Sequence, residues 1–221
     1  MSKLKLMKLK FLLMSFFVVF LAQRYVAAQA ACTTNGRIVF SSNRDGQFEI
    51  YTVNPDGTDL QRLTQNDSAD LSPSWSPDGK QIAFFSDVAS TFYSDIFVMN
   101  TDGGNLINLT NTPQQDELFP IWSPDGKQIV FSRKIIPDEV AIFVMNADGK
   151  NVTQITEAGN GGNFPASWSP DGTQIAFISS RGKPMAPAWD TVYGFYRMKP
   201  DGTEVNFIPY GGKEGYLFPI R

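Results

Sequence analysis

The pentapeptide Trp-Ser-Pro-Asp-Gly occurs three times in this chain, starting at Trp75, Trp122 and Trp168, with steps of 47 and 46 residues. A second mark keeps step with it: Asn54-Pro-Asp-Gly57, Asn100-Thr-Asp-Gly103, Asn146-Ala-Asp-Gly149 and Lys199-Pro-Asp-Gly202. Proline presets φ for the first central position of a type I turn, aspartate suits the second, and glycine takes the left-handed conformation that follows. Each Asp-Gly therefore reads as a hairpin turn. It does not read as a ligand set, because the alternating oxygen donors of a calcium loop are missing. A period in the forties with strand-like segments between turns is the signature of a β-propeller blade.

Between the turns, short runs rich in Ile, Val, Phe and Tyr alternate or stay apolar over strand lengths. They predict strands at 37–41, 49–54 and 60–64 in a first repeat and at 73–76, 81–86, 95–100 and 106–110 in a second. A third repeat has 120–123, 128–132, 141–146 and 152–156, and a fourth has 166–169, 174–179, 193–199 and 205–209. No segment after residue 36 carries a helical period. The expected fold class is all-β, a propeller of four blades with four antiparallel strands each. Trp75, Trp122 and Trp168 recur at one blade position, as packing residues between blades would.

The first repeat lacks the Pro-x-Trp strand that opens the others. The chain's last residues, Tyr216-Leu-Phe-Pro-Ile-Arg221, copy Leu118-Phe-Pro-Ile-Trp122 up to the final position. The expectation is that this C-terminal strand completes the first blade and closes the ring, which removes exposed sheet edges. The rival is a truncated propeller that needs a second chain, so monomer and homodimer are both open.

Residues 1–30 read as a signal peptide: Lys3, Lys5, Lys8 and Lys10 precede a twelve-residue, largely apolar run at 11–22, and Ala28-Gln29-Ala30 supplies small residues at a cleavage site. Twelve residues are too few to span a bilayer core, which takes about 20. Cys32 opens an alternative, lipid anchoring, against which stand Gln29 where a lipobox carries Leu and Arg24 inside the leader. The expected domains are a signal peptide at 1–30, a short linker at 31–36 and a propeller at 37–221. The location is periplasmic or secreted, with membrane contact only if Cys32 is lipidated.

Removing the leader takes away five cations and no acids, moving the net charge from −3 to −8. That balance argues against nucleic acid as a partner. A single cysteine permits no intramolecular disulfide. The absence of histidine excludes Ser-His-Asp, Cys-His and His-metal chemistry.

With these residues in view, the chain resembles the C-terminal propeller of TolB and related WD-like repeat proteins. The carriers are Phe119-Pro-Ile-Trp-Ser-Pro-Asp-Gly-Lys-Gln-Ile-Val-Phe-Ser132, then Ile142-Phe-Val-Met-Asn-Ala-Asp-Gly149, and a closing Leu-Thr or Ile-Thr. The resemblance covers residues 37–221. It implies a non-catalytic scaffold with protein or peptide partners, envelope proteins among them. Two departures stand out: TolB carries an N-terminal α/β domain and six blades, and here four repeats are present without that domain.

In a propeller the first-to-second and third-to-fourth turns share one face, here the near-identical Asp-Gly turns. The other face carries loops 42–48, 87–94, 133–140 and 180–192 and interblade segments 65–72, 111–119, 157–164 and 210–216. Binding concentrates on variable loops held by a rigid scaffold. From the Ser-Pro-Asp-Gly glycine to the next turn aspartate is 23 residues in the second repeat, 22 in the third and 29 in the fourth. The added length makes Arg181, Met185, Trp189 and Asp190 candidate peptide or sugar contacts; folding of Trp189 over a blade edge is the competing reading. Asp116 with Glu117 joins them, and Asp138 with Glu139 forms a similar pair; both pairs are expected to be solvated. No cofactor is required, though the Asp- and Asn-rich loops leave a calcium site open. The alternative functions are a carbohydrate-active module or a peptidase-associated one. A peptidase reading lacks both a Gly-x-Ser-x-Gly elbow and a triad histidine.

Overall fold

Every hairpin in the protein is built by a turn of the Asp-Gly kind or by the loop opposite it, so consecutive strands pair antiparallel. The computed structural model describes residues 36–87, 93–112, 114–136, 139–157, 162–181 and 194–209. Sheet one holds β1 (Ile38–Ser42), β2 (Glu49–Val53) and β3 (Gln61–Arg62). Sheet two holds β4 (Asp70–Trp75), β5 (Gln81–Asp87), β6 (Ser94–Asn100) and β7 (Ile107–Asn108). Sheet three holds β8 (Glu117–Trp122), β9 (Gln128–Ile136), β10 (Glu139–Asn146) and β11 (Thr153–Gln154). Sheet four holds β12 (Asn163–Trp168), β13 (Ile175–Ser179), β14 (Gly194–Met198) and β15 (Asn206–Phe207). Strand order follows the chain within each sheet.

Each sheet is pinned by one aromatic pair directly opposite in register, on the strands joined by the loop-end hairpin. Phe40 faces Tyr51, Phe84 faces Phe97, Phe131 faces Phe143 and Phe177 faces Tyr196. Their ring centroids lie 5.8, 5.8, 5.9 and 5.5 Å apart at interplanar angles of 23° to 28°. Such pairs contribute about 0.5–1.5 kcal/mol beyond their burial and fix register, since a one-residue slip would send every ring to the other face.

The apolar core lies between successive sheets. Ile50 of sheet one meets Ile82, Phe84 and Met99 of sheet two, with Val39, Leu63 and Trp75 beside them. Val130, Ile142, Val144 and Ile155 of sheet three meet Trp168, Ile175, Phe177 and Met198 of sheet four. Trp75 and Trp168 thus pack between sheets as their recurrence indicated, and the Trp168 indole N–H donates to the Ile121 carbonyl across the gap. Phe119 ties three sheets together. It makes edge-to-face contacts with Phe85 of sheet two and Phe164 of sheet four, from a left-handed φ of 57° at a β-bulge.

Two strand expectations are corrected. The opening strands begin at Asp70, Glu117 and Asn163, three residues before the expected starts. Proline suits a first strand residue because it has no N–H to donate. It lies instead within the strand, where the pairing register shifts between Leu71 and Ser74, Leu118 and Ile121, and Pro165 and Ser167. The closing strands shrink to two residues. Asp59, Asn105, Asn151 and Glu204 enter them with φ of 51° to 55°, so the ladder starts only beyond that residue. It ends early because Thr64, Thr110 and Thr156 accept the Ile50, Ile96 and Ile142 N–H groups through side-chain hydroxyls. Pro209 replaces this threonine in sheet four. The 133–140 segment, expected as a loop, is mostly hairpin, with Arg133 opposite Ala141 and Lys134 opposite Val140.

Sheets are spaced by backbone contact. A Cβ built on Gly103 would lie 2.6 Å from the Leu63 carbonyl oxygen, and one on Gly149 2.7 Å from that of Leu109. Gly202 meets the Ile155 carbonyl the same way. Gly57, at the equivalent turn of sheet one, has nothing within 4 Å at a similar φ of 83°. Left-handed φ alone costs an alanine about 1–2 kcal/mol, so Gly57→Ala is expected to lose that much. Gly149→Ala is expected to lose about 1 kcal/mol or more beyond it through the clash. Urea unfolding of the two variants checks this; equal losses would mean that the inter-sheet contact constrains nothing.

Candidate functional site

The meander places the seven recurring Asp-Gly turns at one end of the sheets and the remaining hairpin loops, with Asp45-Gly46 among them, at the other. At the turn end the aspartates are engaged. In Ser-Pro-Asp-Gly the Asp78, Asp125 and Asp171 carboxylates accept from the Ser76, Ser123 and Ser169 hydroxyls. The same carboxylates accept from the N–H two residues on, at Lys80, Lys127 and Thr173. These bonds hold all three below the ordinary carboxyl range, Asp171 at about 2. A shallow cavity of about 310 Å³ between the turns of sheets three and four includes Asp125, Asp171 and Trp168, and both of its carboxylates are already committed to their turns. The aspartates at this end are turn residues, as the pattern indicated.

At the loop end, guanidinium groups rest on the aromatic pairs. Arg44 lies 5.3 and 5.0 Å from the Phe40 and Tyr51 ring centroids. Arg133 lies 5.5 and 4.7 Å from Phe131 and Phe143, and Arg181 lies 4.9 and 5.2 Å from Phe177 and Tyr196. Attraction between cation and ring face holds each group in place. Arg44 and Arg181 come from the same strand position, and the Nε–H of each donates to a serine hydroxyl two residues earlier, Ser42 and Ser179. Arg133 starts two residues closer to the strand and reaches the same seat.

Beneath the guanidinium groups run buried polar pairs between sheets. Glu49 of β2 and Asp70 of β4 are fully buried and bridged by Asn66, whose N–H donates to Glu49 and whose side-chain amide donates to Asp70. One repeat later Asp95 of β6 and Glu117 of β8 are bridged by Thr112, whose N–H donates to Asp95 and whose hydroxyl donates to Glu117. At the third interface the equivalent positions are Ala141 and Asn163, and the Asn163 amide donates to the Val140 carbonyl. Asn163 pairs in register with Ser179, as Asp70 does with Ser86 and Glu117 with Arg133.

The carboxyls respond to these settings in opposite ways. Burial alone would raise Glu49, but bonds from the Thr64 hydroxyl, the Asn66 N–H and Arg62 hold it low. Burial raises Asp70, with the Glu49 charge adding to it and hydrogen bonds from Ser86, Thr64 and Asn66 opposing. Burial also dominates at Glu117, pushed up to about 7 with Asp95 contributing, against Thr112 and Arg133.

Of the expected contact residues, Arg181 stands half-buried at the root of the long fourth loop, and burial lowers its pKa. Asp116 is partly exposed and accepts from the Ser94 N–H. Glu117 was expected in solvent. It is 0% exposed because it opens β8, where the Arg133 Nε–H donates to it at 2.9 Å. Glu139 opens β10 and is half-buried. Met185, Trp189, Asp190 and Asp138 lie outside the described residues, as do residues 1–30, expected as a leader, Cys32, and residues 216–221, expected as a strand. Among the described residues no group of three or more His, Cys, Asp or Glu side chains is placed to hold a metal ion. Sequence reasoning missed the seats of Arg44, Arg133 and Arg181, although Phe40-Ser-Ser-Asn-Arg44 and Phe177-Ile-Ser-Ser-Arg181 show the recurring spacing.

Repeated antiparallel meanders on a period in the forties, spaced by turn-to-carbonyl contacts and varying at one end, define a β-propeller repeat domain. A family model described as the TolB beta propeller domain matches residues 22–135. The chain belongs to that family. It is 50% identical over 50 residues to the Tol-Pal system protein TolB of Desulfosudis oleivorans, covering 23% of this chain and 11% of that one. It is 39% identical over 64 residues to a TolB homolog of Chlorobium luteolum, covering 29% and 15%. A structure of putative TolB from Agrobacterium tumefaciens superposes with a TM-score of 0.67 at 26% identity, over 79% of this chain and 61% of that one. TolB from Acinetobacter baumannii gives 0.65 at 22% identity, over 81% and 43%, a likeness of fold. The chain therefore matches only part of the length of these relatives.

Glu117 sets a testable pH dependence. Its folded pKa lies above the ordinary carboxyl value of 4.5, so between those values the folded state holds a proton that the unfolded state has released. Its contribution to stability is expected to fall as pH rises from about 4.5 to 7 and to level off above. One proton held only in the folded state gives a slope of at most about 1.4 kcal/mol per pH unit. Glu117→Gln should remove that part of the slope in chemical denaturation measured across this range. An unchanged slope would mean that the buried pair does not titrate there.

Proposed function

We propose that this TolB-family propeller is an exported, non-catalytic binding protein that holds a protein or peptide partner on its loop end. The observation that carries this is the contrast between the two ends. The turn end repeats one hairpin chemistry in every sheet and uses its carboxylates internally, whereas the loop end differs from sheet to sheet in length and in charge. Arg181 and Asp116 belong to that end, Glu117 fixes Arg133 beneath it, and the 180–192 loop adds Met185, Trp189 and Asp190. A chain without histidine and without a nucleophile elbow supports binding in place of hydrolysis. The family resemblance extends the reading to an envelope partner reached through a signal peptide at 1–30, with Cys32 lipidation as the anchored variant. The outer edge of β1, unpaired among the described residues, is completed in this reading by residues 216–221, whose copying of the β8 sequence supports closure within one chain.

Two measurements test this. A pull-down from native envelope is expected to recover a partner with wild type and to lose it when residues 180–192 are shortened. Trp189→Ala should weaken capture about tenfold with little change in thermal stability; a stability loss with capture intact would assign that tryptophan to packing. Light scattering should report a monomer, and an obligate dimer would reject closure by the chain's own C-terminal strand.

A further inference from the structure

The seat that recurs on the stacked ring pairs is filled in one sheet by a guanidinium bonded to a carboxyl and in another by a guanidinium that no described carboxyl contacts. In sheet three Arg133 sits on Phe131 and Phe143, and its Nε–H donates to Glu117 at 2.9 Å. In sheet four Arg181 sits on Phe177 and Tyr196 in the same way. The strand position that carries Glu117 in sheet three carries Asn163 in sheet four, each directly opposite the second strand's Arg133 or Ser179. Asn163 supplies an amide oxygen, which accepts from Arg181 Nη2 at 3.2 Å, and no negative charge.

Among the described residues no carboxylate is in ion-pair contact with Arg181, and the Glu157 charge reaches it only through space. Its Nε–H is used by Ser179, while Nη1 has no hydrogen-bond partner among them. A guanidinium offers five N–H donors in a planar fork suited to carboxylate. This one is already oriented by two rings, a hydroxyl and an amide, and its half-buried position strengthens any charged contact it makes. The cost of ordering a long side chain on binding is thus largely met in advance. Sheet one repeats the arrangement with Arg44 over Phe40 and Tyr51, there exposed to solvent.

We propose that Arg181, seated on Phe177 and Tyr196, is a carboxylate-binding site that receives a Glu or Asp side chain of the partner. The inference rests on the binding role proposed above and names the partner's chemistry: an acidic peptide segment, entering as Glu117 does on Arg133. The mature chain's charge of −8 repels such a segment at long range, so recognition comes from contact geometry within a Debye length and not from steering.

The test is a titration of the exported protein with acetyl-Gly-Glu-Gly-amide, followed by the Arg181 Nε–Hε resonance and by saturation transfer to the peptide's glutamate methylenes. A saturable shift in the millimolar range is expected, absent with acetyl-Gly-Gln-Gly-amide and with sodium chloride at matched ionic strength. Asn163→Glu installs the sheet-three acid and should weaken peptide binding at least tenfold. Arg181→Lys, which keeps the charge and loses the fork, should weaken it several-fold and carries the test should Asn163→Glu not fold. The proposal is overturned by a response no larger than the salt control, by equal responses to the Glu and Gln peptides, or by unchanged affinity in the folded variants. Galacturonate binding tighter than the peptide would also overturn it, by making the site a sugar-acid site. Because the titration reads Arg181 directly, an envelope pull-down that recovers nothing would sink the broader function and leave this result standing on its own.

Discussion

The architecture depends on a backbone contact too close for any side chain: the Asp-Gly turn of one sheet against the closing carbonyl of the sheet before it. At Gly103, Gly149 and Gly202 glycine is required twice over, by a left-handed φ of 80° to 84° and by the carbonyl that a Cβ would strike. Because the contact is between main chains, it sets the spacing of sheets independently of which side chains fill the gap. The apolar clusters between sheets one and two and between sheets three and four can then differ in composition while their geometry repeats. The short closing strands belong to the same device. Thr64, Thr110 and Thr156 take over a ladder bond with a hydroxyl, which ends the outer strand and delivers the preceding residue's carbonyl to the next turn.

The turns were the most legible part of the sequence, since proline, aspartate and glycine each have one conformational reason for their place in a Pro-Asp-Gly turn. The inner strands of sheets two and three were legible for a related reason: β5, β6 and β10 are buried over nearly their whole length and read as continuous apolar runs. The opening strands read three residues short because two local rules conflict there. Proline removes a ladder donor, which argues for a strand start, but Pro73 and Pro120 lie where a bulge has already broken the ladder. Residues such as Asp70 and Glu117 read as loop because charged side chains are seldom fully buried. What buries them is a bridging residue from the preceding sheet's exit, Asn66 or Thr112. No single-strand pattern reveals that bridge.

The polar pairs between sheets vary in a way that the turns do not. Glu49 with Asp70 and Asp95 with Glu117 place two carboxyls across an interface, while Ala141 with Asn163 places none. The first two interfaces carry opposing responses to pH within one structure. Glu49 is held charged by donors from Thr64, Asn66 and Arg62, whereas Asp70 and Glu117 are pushed toward their neutral forms. The third interface carries no such buried carboxyl pair at its loop end. Stability in such an array is nearly a sum over neighbouring sheets, so each interface contributes the pH response of its own pair.

The same variation governs the arginines. Four stacked ring pairs offer four equivalent seats, because each pair stands directly across the loop-end hairpin of its sheet. In sheet three the seat's cation is matched by an acid from the opening strand. In sheet four the matching position has become an amide, which preserves the hydrogen bond and removes the charge. A packing role alone would be served equally well by either residue, since the rings hold the guanidinium in both cases. The loss of charge is the part that packing does not require. It leaves a guanidinium held much as Arg133 is held, without the contacting carboxyl that Arg133 has.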